Sequence, residues 1–346
     1  MNKRKLAVGH FFIGDFRGEC SRHLERIREV FFAWPGVLSC RPAPVFTDDV
    51  RRRLLDDLAW ARKNGIELDT LFNANCYGDE AISPELADFV SRNLDEMGEA
   101  GLFPDTLTTT SPFIATVLRR KYPSVKIRWS VNLRVHGSIG FEAVEELFDS
   151  FYVSREYQRD IAYLREMHDW AAAHGKVMGM QANSGCIRQC PFQTFHDNLH
   201  GHGDGRRPKD VATMKDYGFT FFRCKTNYER GRYEDFLRST WIRPEDMPAY
   251  EPYVEIVKLA TRRHPWPAKV LEAYATNRYS GDLAELMDPA HTFPFRFDNA
   301  VFSADSAWPE ILSCPHANNC RHCGKCERLL SKFKTLKKHE DNGPDR

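Results

Sequence analysis

Apolar and polar positions along residues 5–275 form an alternating series of short β-rich runs and longer amphipathic runs. Residues 5–12 predict a strand, residues 22–32 a helix and residues 48–64 a second helix. Residues 66–75 (IELDTLFNAN) predict a strand, followed by a helix over 83–100 with Ser83 as N-cap and Gly101 as stop. A strand over 105–110 precedes a helix that begins at Pro112 and ends at Tyr122-Pro123, and residues 125–132 form the next strand. Residues 141–148 read as helical, 150–154 (SFYVS) as a strand, and 156–174 as a long helix closed by Gly175. Strands over 176–183 and 219–224 (FTFFRC), then 255–261 (EIVKLAT), lead to a last helix over 266–278.

Alternation of this kind implies a parallel sheet with helices outside it. Runs such as VKIRWSVN are apolar without clean alternation, which suits strands covered on both faces. Seven or eight such units favour a closed barrel, a TIM-like α/β fold, over an open doubly wound sheet. No G-x-G-x-x-G turn follows the first strand, which weighs against a dinucleotide-binding fold. The expected organisation is a barrel over residues 1–280, a cysteine-rich extension over 281–332 and a disordered tail over 333–346. Residues 288–312, rich in Pro and aromatics but without periodicity, read as a linker packed along a surface.

Charge changes the picture little: 49 Lys+Arg stand against 48 Asp+Glu, so the chain lacks the uniform field of a dedicated nucleic-acid binder. The first residues carry neither a secretory leader nor a membrane span, so a cytoplasmic protein without a membrane partner is expected. Cysteine changes it more. In a reducing compartment the 10 cysteines read first as metal ligands, because structural disulfides are uncommon there.

Four of them, Cys314, Cys320, Cys323 and Cys326, fall in one short run, three of them spaced by two residues. Tight spacing of this kind aims several thiolates at one iron–sulfur cubane, although the same four could enclose a tetrahedral zinc. A second group is Cys186 and Cys190-Pro191, with Cys224 further on at the end of FTFFRC. Cys186 and Cys190, Cys224, and Cys76 at the end of IELDTLFNAN all fall where a predicted strand ends, which in a barrel is the catalytic rim. Thiolates from different strand ends can converge there as a [4Fe–4S] cluster requires. Cys76 and Cys224 could equally be core cysteines, since free cysteine is commonly buried.

The stretch from about residue 66 to 265 resembles the collagenase-like peptidase family (peptidase U-thirty-two). The matching pieces are Ser150–Glu156, the Cys186/Cys190-Pro191 loop, Cys224, and the run Trp241-Ile242-Arg243-Pro244-Glu245-Asp246 leading to Lys258 and Arg262. The resemblance implies a barrel carrying a four-cysteine [4Fe–4S] cluster and an oxygen-independent role. In several relatives that role is hydroxylation of RNA bases or of a quinone precursor, with prephenate as oxygen donor. The C-x3-C spacing and the distant Cys224 depart from the family pattern, as does the C-terminal cysteine run, so either Cys76 or a tail cysteine would complete the rim cluster.

Acid–base candidates are fewer. His196 and His200 lie four apart and share a face if helical, with His202 following; Arg155 and Glu156 sit at a strand end, suited to a carboxylate and a proton respectively. The leading expectation is an iron–sulfur enzyme with one or two clusters, acting on a small oxygenated substrate or RNA, with an electron-transfer partner. The alternatives are a zinc-stabilised binding protein without catalysis, radical S-adenosylmethionine chemistry (whose C-x3-C-x2-C loop is absent), and a peptidase, for which no H-E-x-x-H or G-x-S-x-G signature is present.

Overall fold

The computed structural model describes residues 4–41, 45–201, 218–219 and 222–334. Eight parallel strands close on themselves in chain order, each paired with the next and β8 with β1. They are β1 (Leu6–Gly9), β2 (Ile27–Phe32), β3 (Glu67–Phe72), β4 (Thr106–Thr109), β5 (Lys126–Trp129), β6 (Ser150–Tyr152), β7 (Val177–Gln181) and β8 (Ile256–Leu259). The barrel expected from the alternation is therefore present, surrounded by helices.

Those helices are α1 (Phe16–Ser21), α2 (Asp48–Lys63), α3 (Pro84–Glu99), α4 (Pro112–Lys121), α5 (Ser138–Glu142), α6 (Ile161–Ala173), α7 (Gln193–Gly201), α8 (Arg223–Glu229), α9 (Glu234–Arg238) and α10 (Pro267–Thr276). Three more follow in the C-terminal part: α11 (Asn299–Ala304), α12 (Ala307–Leu312) and α13 (Lys325–Lys334). The long outer helices begin where a side chain satisfies a free backbone N–H. Thr47 accepts from Val50, Ser83 from Leu86, Ser111 from Ile114, and Asp160 from Ala162 and Tyr163.

Four expectations are corrected. Residues 22–32 are not a helix: α1 stops at Ser21 and β2 follows. Val30, Phe31 and Phe32 are all buried, because a barrel strand is covered on both faces and loses the period-2 signal that would mark it as a strand. Of the strand expected over residues 219–224, positions 219 and 222–224 are described, and none of them lies in a strand. Phe222 precedes α8, which carries Cys224 in its first turn, and the exposed rings of Phe219 and Phe222 show that this apolar run is not a barrel stave. The long helix after β6 starts only at Ile161, so Glu156 lies in a buried turn rather than on a helix. Residues 288–312 are more than a linker: they contain α11 and α12 and put Phe293, Phe297, Phe302 and Trp308 into the main core.

That C-terminal segment is clamped to the barrel by one cation. Arg159 lies 4.8 Å from the Trp241 ring and 5.3 Å from the Trp308 ring, and donates to the Trp241 and Leu237 carbonyls at 2.7 and 2.9 Å. The two indoles are themselves stacked, 5.2 Å apart.

The barrel axis is not wholly apolar. Ala7, Phe31, Leu71, Tyr152 and Ile256 form an inner cluster of their own, separate from the core between strands and helices. Within this same interior, Arg128 forms a bidentate pair with Glu29, its Nη2 donating to Oε2 at 2.8 Å. Its Nη1 also donates to Asp69 Oδ2 at 3.0 Å, and its Nε to Ser150 Oγ at 3.1 Å. Thr108 completes the set, its hydroxyl on both oxygens of Asp69 at 2.9 and 2.8 Å.

Removing the cation leaves two buried carboxyl groups with only the hydroxyls of Thr108 and Tyr152 as partners. Arg128→Met is expected to lower the unfolding free energy by about 3–5 kcal/mol in urea titrations. Burial, reinforced by the charge of Glu29, pushes the Asp69 carboxyl from 3.8 up to about 7 despite Arg128. The folded chain then holds this proton more tightly than the unfolded chain, so stability falls as pH rises through that window. Asp69→Asn should flatten the fall in melting temperature between pH 4 and 7; an unchanged slope would show that Asp69 is already ionised at low pH.

Candidate functional site

The strand ends place an inner side chain from several staves at one mouth. Phe31, Leu71, Gln181 and Lys258, from β2, β3, β7 and β8, floor a cavity of about 60 Å³. The loops above add Arg41, Arg155, Arg262 and Arg263, set against the carboxylates of Asp197 and Asp288. Five cations thus face two carboxylates in a partly closed space, an arrangement suited to a small anion.

Each arginine is braced by the chain. Arg41 pairs with Asp288 at 3.0 Å, and the Asp288 charge raises its pKa. Arg262 donates to Ser39 Oγ from both terminal nitrogens, at 3.2 and 3.1 Å, while burial pushes its pKa down to about 10. Arg155 faces the side-chain oxygen of Gln193 at 2.8 Å from Nη1, with that amide oriented to accept. Asp197 is pushed up by burial, an effect that Arg155 and Arg41 oppose. Its Oδ2 is buried without a hydrogen-bond partner among the described residues.

The cysteine loop after β7 leans on the same mouth. Asn183 is its pivot: its side-chain oxygen accepts from Ala260 N at 2.8 Å and its amide donates to Leu286 O at 3.0 Å. Gly185 N donates to Asp288 O at 2.8 Å, and a Cβ on Gly185 would stand 2.4 Å from Pro289 O, so only glycine permits this approach. Gln189 is held at φ 53°, and its N–H donates to Glu156 Oε2 at 2.8 Å.

Cys186, Cys190 and Cys224 share one electrostatic neighbourhood. Burial raises all three thiols; Cys224 reaches about 11, with the charges of Cys186 and then Cys190 adding to burial. Cys186 also feels Arg155 and Arg41, both of which line the cavity. Cys76 is half-buried in the loop after β3, where its sulfur accepts from Gly78 N at 3.4 Å. Among the described residues no three His, Cys, Asp or Glu are grouped around a point that would hold a single metal ion. A cubane is larger than one ion, and three soft thiols at one rim suit an iron–sulfur group better than a hard cation.

The tail cysteines gather separately. Cys320 and Cys326 act on Arg238, and Cys323 and Cys314 on Lys325, so two cations at the α9–α13 junction serve all four. Cys320 and Cys323 are exposed; Cys326 is half-buried and pushed up to about 11 by burial. A direct link joins this region to the rim loop: Arg188 and Gln189 donate to Asn318 Oδ1 at 3.2 and 3.4 Å.

The acid–base candidates separate. Glu156 faces the cysteine loop and Arg134 (3.4 Å) and lines a different cleft, beside Cys314 and Asn318. His196 packs edge-on against Phe222, its pKa lowered by burial. The side chain of His200, and all of His202, lie outside the described residues. Sequence reasoning assigned no role to Cys40, Arg41, Lys258, Arg262 or Asp288. Lys258 did carry a signal, a lysine embedded in the apolar stave EIVKLAT, as did Arg128 in VKIRWSVN.

Fold and site together define a (β/α)8 barrel with a cationic mouth and a cysteine-bearing rim. No family model matches the chain. An uncharacterized protease of Methanocaldococcus jannaschii is 22% identical over 313 residues, covering 89% of each chain. A solved U32 peptidase superposes with a TM-score of 0.52 at 14% identity, covering 75% of this chain and 92% of that one. The superposition shows a shared barrel fold, and the relative of similar length carries a protease name. Among the described residues no helix is long and apolar enough to cross a membrane.

If the mouth holds an anion, Arg262→Met should weaken binding of pyruvate or phosphate about 10–100-fold in calorimetric titration, the loss of one charge-assisted contact. Equal affinity in variant and wild type would move the anion elsewhere.

Proposed function

We propose that the protein is an oxygen-independent modifying enzyme, hydroxylase-like, which acts on a small anionic, oxygen-bearing substrate at the barrel mouth beside an iron–sulfur cluster. The observation that carries this reading is the sharing of Arg41 and Arg155 between the cavity and Cys186. A substrate held by those guanidiniums lies next to the thiol cluster rather than at a remote point on the surface.

Cys186, Cys190 and Cys224 would hold the cluster, which when bound supplies Lewis acidity at an open iron or a path for an electron. With three cysteines in common electrostatic reach, an open iron is favoured over a fully thiolate-held carrier. The chain does the rest. Arg155 and Arg262 hold the anion, Arg41 offsets the thiolate charge, and Phe31 and Leu71 limit water at the floor. Cys314, Cys320, Cys323 and Cys326 form a second metal site, as a further cluster or a zinc knot, tied to the rim through Asn318. The mouth presents basic side chains, and the chain carries no H-E-x-x-H or G-x-S-x-G signature, so the protease label of the relative is not carried over.

The test is iron, sulfide and zinc content of protein purified without oxygen, with its visible spectrum. Brown protein with about four or eight irons and equal labile sulfide is expected. Cys186→Ala should then lose the rim iron, and Cys323→Ala only the tail metal. Colourless protein holding zinc alone would overturn the reading in favour of a metal-stabilised binding protein.

A further inference from the structure

Three lysines reach inward from the barrel staves or their flanks, and two of them are satisfied. Lys5 donates to the carbonyls of Glu251 and Val254 at 2.5 and 2.7 Å. Lys176 donates to those of Glu145 and Phe148, both at 2.9 Å. Lys258 differs. It is 7% exposed, and among the described residues no carboxylate or carbonyl lies within hydrogen-bond distance of its Nζ. Its amine stands instead 4.3 Å from the Phe31 ring centroid and 5.1 Å from that of Tyr152, at the floor of the cationic cavity.

An amine so placed has little to hold its proton. Aromatic faces offer a weak partner compared with a carboxylate, and the nearby guanidiniums of Arg128 and Arg262 disfavour a further positive charge. Burial lowers the Lys258 pKa, with the charge of Asp69 opposing and Arg128 and Arg262 reinforcing the fall. A buried amine whose proton is loosely held, once it gives that proton up, is a nucleophile toward carbonyl carbon.

We propose that Lys258 forms an imine with the carbonyl carbon of a small oxo acid whose carboxylate is held by Arg262 and Arg155. This rests on the reading of the mouth as an anion site and adds the substrate's second functional group. In the step, the Nζ lone pair attacks the carbonyl carbon and the C–O π pair moves to oxygen, giving a carbinolamine. The C–O bond then breaks and the oxygen leaves as water with both amine hydrogens, leaving a C=N bond. No oxidant or reductant is consumed.

The experiment is reductive trapping on the full chain. Purified protein is incubated with glyoxylate, pyruvate or 2-oxoglutarate plus cyanoborohydride, which delivers hydride to the imine carbon and so fixes the adduct. Peptide mass mapping then locates it. One adduct on the Lys258 peptide is expected, absent with lactate, which has the carboxylate but no carbonyl, and absent in Lys258→Arg. Because the mapping is done on wild-type protein, the result does not depend on that variant folding. If calorimetry shows an oxo acid binding while no adduct forms, or adducts appear only on exposed lysines, the imine is overturned and the anion site stands. If none of the three oxo acids, nor lactate or phosphate, binds, the anion reading fails and the imine with it.

Discussion

The pairing of Arg128 with Glu29 and Asp69 along the barrel axis is the interaction on which the rest depends. A closed eight-stranded barrel must fill its own interior, and this one does so with charge as well as methyl and aromatic groups. The guanidinium joins β5 to β2 and β3, neither of which is its neighbour in the sheet. Two carboxylates meet one arginine, and the charges of Asp69 and Arg128 act in opposite senses on the Lys258 amine at the base of the mouth.

From that point the site is assembled by elements distant in the chain. Ser39 in the loop after β2 braces Arg262 after β8, while Asp288 braces Arg41 and presses on the Cys186 loop. The C-terminal segment is consequently part of the site and not an appendage to it. Its aromatic side chains enter the main core, the Arg159 clamp holds them against Trp241, and Asn318 reaches the rim loop. The tail cysteines have a short covalent and hydrogen-bonded route to the rim.

Errors in the reading of the chain have a common physical origin. Helix N-caps and stops are local, made by a side chain three residues from its partner, and Ser83 is legible for that reason. Barrel staves are covered on both faces, so the periodicity that would mark them is weak; the Ile27–Phe32 strand was concealed by it and FTFFRC was taken for a stave. Glu156 looked like an acid at a helix start, whereas a φ of 53° at Gln189 turns a backbone N–H onto its carboxylate.

By itself the sequence determined the barrel, most of its helices and the two groups of clustered cysteines, since alternation and close spacing are properties of neighbouring residues. Only the tertiary structure decided which residues share the mouth. Cys40, Arg41, Arg155, Lys258, Arg262 and Asp288 lie far apart in the chain, and their meeting depends on how eight staves register around an axis. The value of a lysine in EIVKLAT likewise cannot be read locally. Its chemistry follows from the partners it lacks and the rings and cations packed around it, and both are consequences of closing the barrel.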